Sequence, residues 1–383
     1  MVCVTLRAIR VLRRLLPGLL APVLPLFAQP MDVLDHAPET YLGADACGAC
    51  HAEQVELQSA TGHARSLAQI GKHRLASSFV PAGPLARAGG ITYSYRTDGA
   101  DLQVEVAAAT ERVGLRLEWA FGAGEQAVTF VGQVDESRYV EHHYSYYAAT
   151  DSLATTPGHS NVPARGAEDA FGVFYPTFGP EPAIMRCFQC HSTGPLSLGD
   201  DFSLQPRELG VRCEVCHGPG RPHVEAVASG ELERARTTVG NPGRLGGSEL
   251  LEFCGACHRP PASSGDVIDW SDPWNVRHQP VYLSRSACVQ PGGQPLACMR
   301  CHDPHQPLSR EAARDNGLCL DCHTDRTPPA AICRQAAGGK CASCHMPSVR
   351  PQDNLSFTNH WIGVYDSGKP LRPRESSATG PLP

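Results

Sequence analysis

Seven short stretches of this chain place cysteine, two variable residues, cysteine and histidine in that order. They are CGACH (Cys47, Cys50, His51), CFQCH (Cys187, Cys190, His191), CEVCH (Cys213, Cys216, His217), CGACH (Cys254, Cys257, His258), CMRCH (Cys298, Cys301, His302), CLDCH (Cys319, Cys322, His323) and CASCH (Cys341, Cys344, His345). With 17 cysteines and 17 histidines in 383 residues, chance placement would yield about 0.03 copies. The spacing suits a porphyrin. Two thiols add across its two vinyl groups as thioethers, and the next residue turns its imidazole beneath the ring to ligate iron. Zinc knuckles are the competing chemistry. Zinc does not require histidine directly after the second cysteine each time, and its sites usually pair two C-x-x-C units at one metal. The pattern therefore implies seven covalently attached haem c groups, with fourteen of the seventeen cysteines as anchors.

Each iron has a second face. Ten histidines lie outside the motifs: His36, His63, His73, His142, His143, His159, His223, His278, His305 and His360. That supply allows two histidines per haem without requiring it. In CMRCHDPH, His302 and His305 are three residues apart and project from one side of a helical turn. Axial ligands approach iron from opposite faces, so these two cannot share one ring, and His305 is expected to reach a neighbouring haem. His223 follows His217 across a Gly-Pro-Gly turn and is read the same way. His159, in PGHSN, is a further candidate ligand, and His278, in VRHQP, is either a ligand or a loop histidine against a haem edge. His142 and His143 are adjacent on an expected strand and point to opposite faces, so at most one meets a haem. His73 is open to either role, and His36, close to the N-terminus, reads as exposed. Met299 lies inside its own motif and Met346 directly follows His345, so neither suits its own haem's second face.

The N-terminus points to export. MVCVTLRAIRVLRR holds Arg7, Arg10, Arg13 and Arg14 and no acid, and LLPGLLAPVLPLFA follows, ending at small Ala28. A basic start, an apolar stretch and a small-residue exit make residues 1–28 a secretory signal peptide. The stretch is short for a membrane span and contains three prolines. An uncleaved anchor is the alternative. No later stretch is apolar enough to span a bilayer, so the mature chain is expected to be soluble, in the periplasm or exported as far as the cell surface. Loss of the four arginines takes the formal charge from −6 to −10, which argues against nucleic-acid binding. An acidic electron carrier meets basic docking patches in weak, salt-sensitive encounters. Expected partners are redox proteins, another cytochrome or a membrane quinol-linked complex. Cys288 and Cys333 remain in the mature chain, either as one disulfide or as two free thiols.

The motifs are unevenly placed. A single-haem segment (29–80) precedes a gap, and six motifs crowd into a hexahaem domain (181–365). That domain is rich in Gly, Pro and Arg, so the haems must supply much of its core, with short helices carrying the motifs. The gap (81–180) reads differently. ITYSYR, DLQVEVA, VGLRLEWAF, QAVTFVGQV and RYVEHHYSYY alternate apolar and polar residues and are rich in aromatic and β-branched types. This predicts an antiparallel β-meander, with Asp98-Gly99 as a hairpin turn. Residues 366–383 read as a disordered tail.

YLGADACGACH with TGHARS, PGH, CHGPGRPH, CMRCHDPH, and CHMP followed by FTNHWI resemble the multihaem cytochromes c of the cytochrome c-552/4 group, over Tyr41 to about Tyr365. The resemblance implies that His63, His223, His305 and His360 are distal ligands, that a cysteine pair matching Cys288 and Cys333 recurs, and that the role is electron transfer, with catalysis in larger relatives. The expected fold is a multihaem cytochrome c: mostly short helices and loops packed around seven haems, with an inserted antiparallel β-meander. The leading functional expectation is an exported carrier passing electrons along closely packed haems. A second is an oxidoreductase of small nitrogen or sulfur compounds with one open-faced haem. No CxxCK variant is present, so the lysine-ligated haem of pentahaem nitrite reductases is not expected. Tyr144, Tyr146 and Tyr147 with His142 and His143 would line a pocket in that case, the favoured alternative being an ordinary strand face. A third is a docking or filament-forming haem protein.

Overall fold

Leu102, Val104 and Val106 alternate with polar neighbours, and all three are buried. They belong to the first of two antiparallel sheets in the computed structural model, which describes residues 38–159, 164–179, 183–261, 267–289, 296–309, 311–323 and 341–374. Strand β1 (Leu67–Gln69) comes first in the chain. Strands β2 (Leu85–Arg87), β3 (Ile91–Thr97), β4 (Leu102–Ala108) and β5 (Glu111–Leu117) then form a four-stranded sheet in chain order. Asp98 caps the β3–β4 turn, its Oδ1 accepting from the amides of Ala100 and Asp101 at 3.0 Å each.

The second sheet has seven strands: β1 with β6 (Trp119–Phe121), β7 (Ala127–Asp135), β8 (Arg138–His142), β9 (Tyr144–Tyr147), β10 (Ser152–Thr155) and β11 (Gly172–Pro176). The single meander expected from the sequence is thus corrected to two sheets. VGLRLEWAF is not one strand, because the chain changes sheets at Glu118. There the carbonyl accepts from Ile70 at 2.8 Å, and the carboxylate accepts from the amide of Gln133 at 3.0 Å. RYVEHHYSYY likewise breaks at His143, whose amide donates to Phe171 O at 2.9 Å.

The two sheets share one core, including Tyr93, Val104 and Leu117 from one and Phe130, Val140 and Tyr146 from the other. The opposite face of the larger sheet is also covered. Phe121, Val131 and Tyr139 pack with Ile184 and Phe188, on and beside the helix Met185–His191 that carries the second motif. The β-rich segment is therefore built onto a motif helix. A hairpin of β12 (Ser192–Leu198) and β13 (Leu204–Leu209), not expected from the sequence, follows that helix directly.

Helices end on the motif histidine at Met185–His191, Cys213–His217, Gly247–His258, Ala312–His323 and Cys341–His345. A helical turn puts two cysteines three apart on one face, which is the presentation that paired thioethers need. A second unexpected hairpin, β14 (Ser348–Gln352) and β15 (Leu355–Thr358), reaches back to the sheets. Gln352 Nε2 donates to Tyr147 Oη at 3.1 Å and Thr155 O at 3.2 Å, and Gln126 Nε2 donates to Ser356 O at 2.9 Å.

The disorder expected from residue 366 onward starts too early. Asn359 Nδ2 donates to Pro370 O at 2.8 Å, and the Arg374 amide donates to Val364 O at 2.7 Å, so the chain to Arg374 is fastened. Residues 375–383, the expected signal peptide, His36 and Cys333 lie outside the described residues, and with Cys333 the question of its pairing to Cys288. No helix among the described residues is long and apolar enough to cross a membrane.

Candidate metal centres

A histidine that ligates a metal through Nε2 commonly donates its Nδ1 proton to a carbonyl, which fixes the tautomer and aims the ring. Three motif histidines have that partner: His191 Nδ1 lies 3.0 Å from Ser66 O, His217 Nδ1 2.8 Å from Gly240 O, and His345 Nδ1 2.8 Å from Gly363 O. Two candidates outside the motifs have it as well. His223 Nδ1 lies 2.9 Å from Ala235 O, and His360 Nδ1 lies 3.0 Å from Thr358 O. Burial holds His191 and His360 below the usual histidine range, His360 at about 4, so both are neutral near pH 7 and free to donate a lone pair.

Two other histidines have both ring nitrogens engaged within the sheets. His142 Nδ1 donates to Phe171 O at 2.7 Å while Nε2 accepts from Tyr95 Oη at 2.8 Å. His73 Nδ1 accepts from the amide of Leu75 and Nε2 donates to Gly122 O, both at 3.1 Å. Their positions are explained by the β architecture.

Three histidines from outside the motifs stand opposite motif histidines. The ring centroids are 6.0 Å apart for His63 and His258, 5.9 Å for His217 and His305, and 6.3 Å for His302 and His360. A metal–imidazole bond of about 2 Å on each side would set two axial rings about 6 Å apart. The residues present therefore fit a metal held between two imidazoles. His302 and His305 face different partners, His360 and His217 respectively. Burial is the main cause holding His63 below its ordinary range, followed by the neighbouring His258, His302 and His191. His223 and His159 do not stand opposite a motif ring among the described residues; His159 Nε2 instead lies 3.1 Å from Glu141 Oε2.

The motifs also meet one another. Cys47 lies beside Cys213, Cys190 beside Cys257, and Cys254 beside Cys298. The first motif thus abuts the third, and the fourth abuts both the second and the fifth. Arg300 pairs with Asp321 at 2.7 Å, joining the fifth and sixth, and Asn316 accepts from the Cys341 amide at 2.8 Å, joining the sixth and seventh.

Two features beside the motifs escaped the sequence reading. Glu141 and Tyr175 sit on paired strands β8 and β11, beside the second motif. Tyr175 Oη donates to Glu141 Oε2 at 3.2 Å, and burial with the nearby Glu141 pushes the Cys187 thiol up to about 11. An isolated Glu in RYVEHH carries no signal of this. The other is Arg259, directly after His258, which adopts φ +66°.

Residues 179–218, spanning the second and third motifs, match the family model described as cytochrome c554 and c-prime. The chain is 25% identical over 201 residues to the dissimilatory sulfite reductase MccA of Wolinella succinogenes, a match covering 42% of this chain and 25% of that protein. It thus spans about a quarter of the length of that curated relative. It is also similar to the crystal structure of the outer cell wall cytochrome OcwA, at 15% identity and a TM-score of 0.48, covering 84% of this chain and 79% of that one. The family match and the sequence relative, set beside the motifs, support a multihaem c-type cytochrome with covalently bound haem c.

Proposed function

We propose that this chain is an exported heptahaem electron-transfer protein with one haem c at each CxxCH motif. The observation that carries this reading is the meeting of His63, His305 and His360 with three motif rings at 5.9 to 6.3 Å. In it, His258, His217 and His302 are the near ligands and those three are the far ones. His223 is a fourth far ligand, supported by its Nδ1 bond to Ala235 O. His159 has the least support as a ligand, since a carboxylate holds its Nε2. When bound, haems with two histidine ligands supply one-electron chemistry with little reorganisation. The protein's own contribution is packing: the first motif lies against the third, the second to seventh are linked through the fourth, fifth and sixth, and the two groups meet where His217 faces His305. The signal-like sequence of residues 1–28 supports export, with the periplasm or cell surface as the proposed destination. Partners are another cytochrome or a membrane quinol-linked complex.

Intact mass of the purified holoprotein, with low-temperature EPR of its oxidised form, tests this. The expected result is seven haems and low-spin signals. Fewer than seven haems, or predominantly high-spin iron, would sink it.

A second reading is a reductase of a small sulfur or nitrogen compound at the second motif. Two observations favour it. Glu141, Tyr175 and His159 form an acid–base group beside Cys187, and the sequence relative is named a sulfite reductase. Proton-dependent reduction needs such donors near the reacting atoms. A high-spin signal of about one haem that shifts on adding sulfite, nitrite or hydroxylamine would select this reading.

A further inference from the structure

We propose that Arg259 and Arg277 are the counter-charges for the carboxylates of the haem attached through Cys254 and Cys257, and that they raise its potential. This rests on the reading of the fourth motif as a haem site. A cavity of about 630 Å³ opens against that motif, within the size range of cofactor pockets. Cys257 and His258 line one side, with Arg259, Arg277, His278 and Phe357 around them and no carboxylate in its lining among the described residues.

The two arginines reach the cavity from separate segments. Arg259 occupies the left-handed region at φ +66°, unusual for a residue with a side chain. The reversal there lays Pro260 against the motif helix, so close that a Cβ at Gly255 would stand 2.4 Å from Pro260 Cα. Arg259 Nη1 lies 3.4 Å from His278 Nδ1, and the Arg277 guanidinium lies 5.7 Å over the Trp274 ring. The nearby carboxylate of Asp272 caps the Trp274 amide at 2.9 Å.

Two arginines lining a cavity with no carboxylate among its described residues suit anionic groups, and a guanidinium fork matches a carboxylate. A haem carries two carboxylates of its own. Reduction would take the iron from ferric to ferrous and lower the net charge of the haem by one, so positive charge beside it favours the reduced form.

The test uses the haem-loaded full chain. His63→Ala frees one face of this haem and gives it a high-spin signal that labels it. In that background the labelled midpoint is followed by redox titration with dithionite and ferricyanide. Arg259→Gln and Arg277→Gln should each lower it while the other six midpoints hold, and Arg259→Lys should restore much of the loss. Arg277→Gln is remote in sequence from the motif and keeps the test open where Arg259→Gln disturbs attachment. A labelled midpoint unmoved in both glutamine variants, or a common shift of all seven, would overturn the proposal. A native protein one haem short at the fourth motif would overturn the reading beneath it.

Discussion

Glu214 accepts the amide of Gly43 at 2.8 Å across 171 positions of chain. It also accepts the amides of Leu42 at 2.9 Å and Gly220 at 2.7 Å, and it is 3% exposed. The residue lies inside the third CxxCH motif yet fixes the approach to the first. Hydrogen bonds to a charged acceptor contribute about 1.5–3 kcal/mol each, and stranding buried amides adds a penalty. Glu214→Ala should therefore lower stability by roughly 3 kcal/mol or more, with Glu214→Gln losing less. Thermal unfolding of the holoprotein followed in the haem absorption band is the check, and an unchanged midpoint in the alanine variant would dissolve the tie.

The two CGACH motifs should respond differently to one substitution. At Gly255 an added Cβ meets Pro260 Cα at 2.4 Å, whereas at Gly48 the nearest atom is Val55 Cγ1 at 3.9 Å. Overpacking costs about 1–3 kcal/mol, while Gly→Ala in a helix gains about 0.5–1 kcal/mol. Gly255→Ala should lower stability and haem occupancy, and Gly48→Ala should leave both unchanged or slightly improved. Equal behaviour of the two variants in denaturant titration and haem assay would contradict this.

Removing a far ligand should leave an identifiable trace. His305→Ala and His360→Ala are each expected to add high-spin ferric iron equal to about one haem, read by EPR. His73→Ala should add none, because both of its ring nitrogens serve the β structure. A high-spin signal in that variant would show that a ligand had been overlooked.

Stability should fall with acid through His142. Burial holds its pKa at about 3, against an ordinary value of 6.5. Above pH 6.5 the ring is neutral in both states and its full contribution is present. As pH falls from there towards 3, the unfolded chain takes up a proton that the core refuses, and stability drops by up to about 1.4 kcal/mol per unit. His142→Gln, compared with the native chain between pH 7 and pH 4, should flatten the slope by roughly that amount. Parallel curves would assign the acid sensitivity elsewhere.

The haem motifs could be read from sequence because their chemistry is local: two thiols and an imidazole within five residues. The strands could be read because alternation along Leu102, Val104 and Val106 is also local. Their division into two sheets could not. It depends on Glu118 meeting Ile70 and Gln133, and on His143 meeting Phe171, contacts between residues far apart in the chain. Same-side geometry suggested that His305 serves a neighbour, but not that the neighbour is His217. Glu141 and Arg259 gave no sequence signal at all, since one is placed by strand pairing and the other by the reversal that seats Pro260 on Gly255.

The β14–β15 hairpin adds an order of events to maturation. The two sheets close from pairings within residues 67–176 and can form early in a chain that emerges from its N-terminus. Their bond to Gln352 spans 205 positions from Tyr147 and must wait for the last motif to emerge. Long-range closure of this kind is slow, because chain entropy is lost before any contact forms. The Gln352–Tyr147 join is therefore a closing contact: it ties the C-terminal hairpin to sheets that are already complete, so the two ends of the fold are locked together last.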